Sequence, residues 1–192
     1  ENWFTNIVPE RDRELTRAAF RQMMNQEMEF LEFYENLIRL KDGTEKLIAW
    51  HNVLNYDKKG KPIGILASGE DITEHRKVDK ELRKLSQAVE QSPVSVVITD
   101  RYGKIQYVNS RFCEKTHYQP EEVLGKNPRI LQSGSLPRSF YQELWQTILS
   151  GNIWRGDFLN KTKEGNQYWE RASISSIMDE TGEITNFIAI KE

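Results

Sequence analysis

The sequence predicts an α+β fold: antiparallel sheet flanked by helices, present in two related copies joined by a charged helix. Three observations carry this. The chain repeats internally, each copy reads as three strands separated by two turns, and a helix precedes each set of strands. Glu35 to Glu70 lies over Asp157 to Glu192 without a gap, at a constant offset of about 122 residues. ENLIRLKDGTEKLIAW falls on DFLNKTKEGNQYWERA, and NYDKKGKPIGILASGE on IMDETGEITNFIAIKE. The Lys41-Asp42-Gly43 turn meets Lys163-Glu164-Gly165, and Asp57 and Gly60 meet Asp179 and Gly182. Each copy is therefore a strand, a glycine turn, a strand, an Asp-x-x-Gly turn and a strand, an antiparallel meander.

The helix ahead of the first meander is expected over Pro9 to Gln26, with Leu15, Ala19 and Met23 on its packed face. Ahead of the second it is expected over Pro137 to Ser150, with Phe140, Leu144 and Ile148 recurring every fourth residue. The second copy has more in front. Val94 to Asp100 is a β-branched run, Arg101-Tyr102-Gly103 a turn, and Lys104 to Val108 a second strand, which together make a hairpin. Asn109 is placed to cap a short helix, and Pro120-Glu121-Glu122 opens another. The first copy has no counterpart to these elements. Trp3 and Phe4 fall near its helix entrance, and Ile48, Trp50, Asn52 and Leu54 would line its sheet.

Between the copies runs Asp71 to Ser92, with Val78, Leu82, Leu85 and Val89 at alternating spacings of four, three and four. That is a heptad seam, and the Lys, Arg and Glu flanks keep the rest of the helix in water. Thr73 is the expected N-cap, and Pro93 ends the helix because the residue before proline avoids helical angles. A parallel homodimer through the seam and a solvated helix lying on one domain are the two readings of this pattern.

Composition narrows the function. The 192 residues are 38% hydrophobic and 29% charged, as in ordinary globular domains. A net charge of −2 gives no electrostatic pull toward nucleic acid or an anionic membrane. Cys113 alone cannot make an internal disulfide, which points to a reducing, cytoplasmic setting. No run is long enough to span a bilayer, and no signal peptide pattern opens the chain. There is no P-loop, no dinucleotide glycine fingerprint and no nucleophile–base constellation. His51, His75 and His117 do not have zinc-ligand spacing, so neither a catalytic centre nor a metal is expected.

The order strand, strand, short helices, longer helix and three strands resembles a PAS domain. ITDRYGKIQYVNSRFCEKTHYQPEEVLGKN is similar to the opening of one, and WRGDFLNKTKEGNQYW and MDETGEITNFIAIKE to its closing half. The first copy ends in GEDIT, and PAS domains end in such a D-I-T before a signalling helix. The resemblance implies the closing part of one PAS domain at 1–73, a linker helix at 74–92 and a second PAS domain at 93–192. It implies one five-stranded sheet that cups a pocket.

What the pocket holds is read from the same resemblance. Haem would need a histidine on the helix before the meander, and neither copy has one there. NPRILQSG, Asn127 to Gly134, resembles the flavin-binding segment of light-sensing LOV domains, with Pro128 where those have the adduct-forming cysteine. Proline carries no thiol, so that photochemistry is absent. Glu170 stands for a second edge asparagine and Lys191 for the switching glutamine. PAS domains of nitrogen-fixation regulators and of a methane-oxidation sensor bind FAD without the cysteine, and are similar around RIL, the long helix with its Trp, and WRG. The residues this implies for FAD are Thr99, Asn127, Arg129, Gln132, Trp154, Asn160 and Glu170, with Trp154 against the ring face and Asn160 at its edge. At the same positions a core aromatic (Trp154) and a helix cap (Asn127) remain open, as does an empty pocket.

The expected function is a sensory module of a larger signal-transduction protein, a histidine kinase or a cyclic-dinucleotide enzyme, with the output domain in the same chain. Asp71 and Thr73 would couple sheet to helix. The alternatives are a cofactor-free PAS dimerisation or protein-interaction module and a catalytic flavoprotein.

Overall fold

The computed structural model describes residues 3–25 and 32–192. It divides into two compact units, 1–82 and 83–192, with the boundary inside the linker helix.

The first unit opens with α1 (Trp3–Asn6), a 3-10 turn over Glu10–Asp12 and α2 (Arg13–Met24). Its meander is β1 (Phe33–Arg39), β2 (Glu45–Tyr56) and β3 (Pro62–Asp71), paired antiparallel in that order. α2 departs from the expected packing: Leu15 is 71% exposed, and Thr16 is the buried residue of that turn. Periodicity defines a stripe, but burial follows whichever face meets the sheet. Gln26 and the side chains of Trp3, Phe4 and Met23 lie outside the described residues.

The linker helix α3 (Thr73–Glu90) buries none of its residues. The seam residues Val78, Leu82 and Leu85 are 61%, 65% and 62% exposed. Thr73 does not act as its cap. Its Oγ1 accepts from the Leu47 amide and donates to Asp71, so it ties the helix to the sheet instead.

The second unit adds β4 (Ser95–Asp100), β5 (Ile105–Val108), α4 (Ser110–Thr116), α5 (Pro120–Val123), a 3-10 turn over Pro128–Leu131, and α6 (Arg138–Leu149). Its meander is β6 (Trp154–Lys161), β7 (Gln167–Met178) and β8 (Ile184–Lys191). The five strands form one antiparallel sheet in the order β5-β4-β8-β7-β6. The expected cap at Asn109 is present, its Oδ1 accepting from the Phe112 amide, and at the start of α5 Glu122 accepts from the Gln119 amide. Asn109 is fully buried and also accepts from the Val96 amide and donates to the carbonyls of Val89 and Val94. One side chain thereby joins the end of α3, the start of β4 and the start of α4.

The turns share one chemistry. Asp57, Asp100 and Asp179 each accept two amides of the loop that follows, adding side-chain bonds to the backbone bonds that close each Asp-x-x-Gly turn. The core lies on the inner face of the five-stranded sheet, in two clusters. Val97, Ile105, Val108, Phe112, Val123 and Leu131 pack under α4 and α5; Leu144, Ile148, Trp154, Phe158, Ala172 and Phe187 pack under α6.

Candidate functional site

Between these clusters the second unit forms an open pocket with about 120 Å³ of water-accessible interior. β8 contributes Phe187, Ala189 and Lys191, alternate residues on one face of a strand. α6 contributes Tyr141, Leu144, Trp145 and Ile148, one helical stripe. Phe158 and Ile174 complete an apolar wall. Apolar walls with a few convergent polar groups suit an organic ligand.

The polar groups enter from two sides. At the mouth, Asn127 caps the 3-10 turn, its Oδ1 accepting from the amide and Nε of Arg129. It is a helix cap and a cavity-lining residue at once. Gln132 follows, held by a bridge to Asn160 and by the Ser133 amide and hydroxyl, which donate to the Leu159 carbonyl. Thr99 lines the cavity from β4, and Pro128 lines it without offering a nucleophile. Cys113, half-buried on α4, packs against the other core cluster, and burial pushes its thiol up.

The floor is charged. Glu170 on β7 is buried to 1% of its side-chain surface. Its Oε1 accepts from Asn160 Nδ2 and from Lys191 Nζ, the latter at 2.9 Å, and Lys115 Nζ lies 3.6 Å from Oε2. A carboxylate only accepts, so the Asn160 amide nitrogen is the atom turned to Glu170, and its carbonyl oxygen and second amide hydrogen are left for other partners.

Of the seven residues marked for a cofactor, Thr99, Asn127, Arg129, Gln132 and Asn160 all line this one cavity. Glu170 stands one hydrogen bond behind it. Trp154 does not line it: the indole is buried edge-on against Phe140 (5.2 Å) and tilted on Phe158 (5.2 Å), a core aromatic. The tryptophan on the wall is Trp145, beside Tyr141, Phe158 and Phe187; it is 38% exposed and edge-on to Phe187 at 5.4 Å. Its helical spacing from Tyr141 and Ile148 was the signal for it. In the sequence Lys191 stands out only as a replacement for the switching glutamine, and no sequence signal marks Lys115.

At the junction in the first unit, Asp71 accepts from the Thr73 amide and hydroxyl and pairs with Lys46 at 2.9 Å. The Thr73 hydroxyl, with Lys46 next, pulls the Asp71 carboxyl down to about 2. At the other end of α3, Glu90 accepts from the Tyr107 hydroxyl and from the amide and hydroxyl of Ser110. Burial, reinforced by Glu90, pushes the Tyr107 phenol up to about 12. Among the described residues, no group of His, Cys, Asp and Glu could hold a metal ion, and no helix is long and apolar enough to cross a membrane.

A single antiparallel sheet that cups a pocket beneath short helices is the architecture of a small sensor domain. The chain belongs to the PAS family, whose fold profile matches residues 83–190, more than half of its length. A nitrogen fixation regulatory protein of Klebsiella pneumoniae is 37% identical over 103 residues, 54% of this chain and 21% of that protein. A blue-light-activated histidine kinase of Brucella anthropi is 28% identical over 113 residues, 57% of this chain and 23% of that protein. A solved structure from "Flavin Analogue Sheds Light on Light-Oxygen-Voltage Domain Mechanism" superposes with a TM-score of 0.52 at 25% identity, over 57% of this chain and 83% of its own. The chain thus spans about a fifth of the length of these curated relatives.

Proposed function

We propose that this chain is the cytoplasmic sensory segment of a larger signal-transduction protein, and that its second unit holds FAD. The cavity carries the reading: an apolar slot whose floor offers the Asn160 carbonyl and the Lys191 ammonium. That acceptor and donor match the alternating N–H and C=O groups of a flavin's pyrimidine edge, while Asn127, Arg129 and Gln132 suit its polar chain at the mouth. Bound flavin would supply reversible electron uptake. The protein's part is to hold the edge, exclude water with the α6 wall and pass the changed hydrogen bonding on. Similarity to a nitrogen fixation regulator, a histidine kinase and a light-oxygen-voltage domain supports a regulatory rather than catalytic role and favours a kinase output over a cyclic-dinucleotide one.

An absorbance scan of the purified protein tests this directly, with flavin bands expected. Trp145→Ala should lose FAD on purification while keeping the fold. Trp154→Ala should instead cost about 3–5 kcal/mol of stability, because a packed indole leaves the core. A wild type that stays colourless after refolding with FAD would refute the reading.

The exposed seam supports a second reading that needs no cofactor, a homodimerisation module. Leu82→Asp with Leu85→Asp should give monomers by light scattering, because buried unpaired carboxylates cost several kcal/mol. A wild type that is already monomeric at high concentration rules out dimerisation through the seam.

A further inference from the structure

The floor of the cavity does not balance in charge. Glu170 is one carboxylate, and two ammoniums close on it: Lys191 at 2.9 Å and Lys115 at 3.6 Å. Glu170 and Lys191 keep only 1% and 7% of their side-chain surface, so water screens the pair little. Each ammonium also lies over a ring, Lys115 over Tyr168 and Lys191 over Phe158, each 5.5 Å from the nitrogen. Neither ring brings a formal charge. Of the nearby surface carboxylates, Glu122 pairs with Lys163 and Asp157 with Arg171, while Glu164 lies at the exposed surface against His117.

We propose that this cluster presents one net positive charge to the cavity and that the pocket therefore holds an anionic occupant more tightly than a neutral one. The inference rests on the FAD reading and sharpens it. Oxidised isoalloxazine is neutral. Two electrons from a reductant and one proton from solvent leave it with one negative charge, centred on the pyrimidine side. A positive floor beside that edge raises the reduction potential of the bound flavin above that of free FAD. The first copy carries no such device. At the positions equivalent to Asn160, Glu170 and Lys191 it has Ile38, Ile48 and Gly69.

The test is a spectroelectrochemical titration of the FAD-loaded chain, with dithionite as reductant, beside Kd measurements for oxidised FAD by fluorescence quenching. The wild type should bind reduced FAD at least tenfold tighter than oxidised, a rise of about 30 mV for a two-electron couple. Lys191→Gln keeps a donor for Glu170 but removes the net charge, and should abolish the preference. Lys115→Gln should weaken it less. Glu170→Gln should strengthen it, because both ammoniums remain and the carboxylate is gone. These opposite signs cannot come from loosened packing, and Lys115→Gln with Glu170→Gln decides the matter should Lys191→Gln fail to fold. Equal affinity for both forms in the wild type, or shifts of one sign in all variants, would overturn the charge assignment while FAD binding stands. No uptake of FAD at all would overturn both.

Discussion

The two meanders are the same scaffold with opposite interiors. Their registers agree pair for pair: Phe158 faces Glu170 as Asn36 faces Ile48, Ala172 faces Lys191 as Trp50 faces Gly69, and Ile174 faces Ala189 as Asn52 faces Ala67. In the second copy this surface is Asn160, Glu170 and Lys191 around open space. In the first the indole of Trp50 lies across Gly69 and donates to Asn36 at 2.7 Å. A Cβ on Gly69 would sit 2.6 Å from Ile48 and 2.7 Å from the Trp50 ring. Where one copy spends its inner face on buried charge beside a cavity, the other fills the corner with an aromatic ring. Register is a property of the backbone and turns; what a sheet can bind is decided by a few inward side chains.

The largest effect expected from breaking this contrast is in the charged copy. Glu170→Ala leaves Lys191 buried without its carboxylate and should destabilise the second unit by about 3–5 kcal/mol in urea unfolding. A loss under about 1 kcal/mol would mean that water reaches the floor and that the pair behaves as a surface one. Next comes the filled copy. Gly69→Ala forces the Trp50 ring aside and should cost about 1–3 kcal/mol, whereas Gly64→Ala on the same strand meets nothing within 4 Å and should change little. Equal costs at the two glycines would break the claim that Trp50 occupies that corner.

The smallest effect is at the junction between sheet and linker. Asp71 has its folded-state pKa lowered, so its contacts with Thr73 and Lys46 hold above the ordinary value of 3.8 and are lost only as pH falls through about 2. NMR titration of the Asp71 carboxyl should show that midpoint. Lys46→Met should raise it only partway, because the Thr73 hydroxyl is the larger cause. A wild-type midpoint near 3.8 would sink the idea of a preformed junction.

Most of the scaffold was legible before any coordinates. The repeat, the turns and the cap at Asn109 are local signals: a spacing, a glycine, a side chain three residues from its acceptor's partner. What failed was information that requires a face or a pairing. Leu15 sits on a regular stripe yet is left 71% exposed. Trp154 and Trp145 are equally suited to a flavin by type, and only strand parity and helix phase separate the core residue from the wall residue. Glu170 and Lys191 were visible as two departures from a flavin-binding pattern. Their union was not, since it depends on the β7–β8 register and on Lys115 arriving from a different helix.

Gly103 closes the β4–β5 hairpin at φ +78° and also lines the cavity mouth, where an added Cβ would come within 2.9 Å of Asn127 and 3.6 Å of Trp145. Gly165 and Gly182 share its left-handed backbone but face open space. In a saturation scan, those two positions would accept Asn or Asp at modest expense. At Gly103 the same residues would also have to push the Asn127 side chain aside, so this position should tolerate them less well than the other two. Two independent demands, one from the chain's path and one from the rim of the cavity, converge on a residue with no side chain.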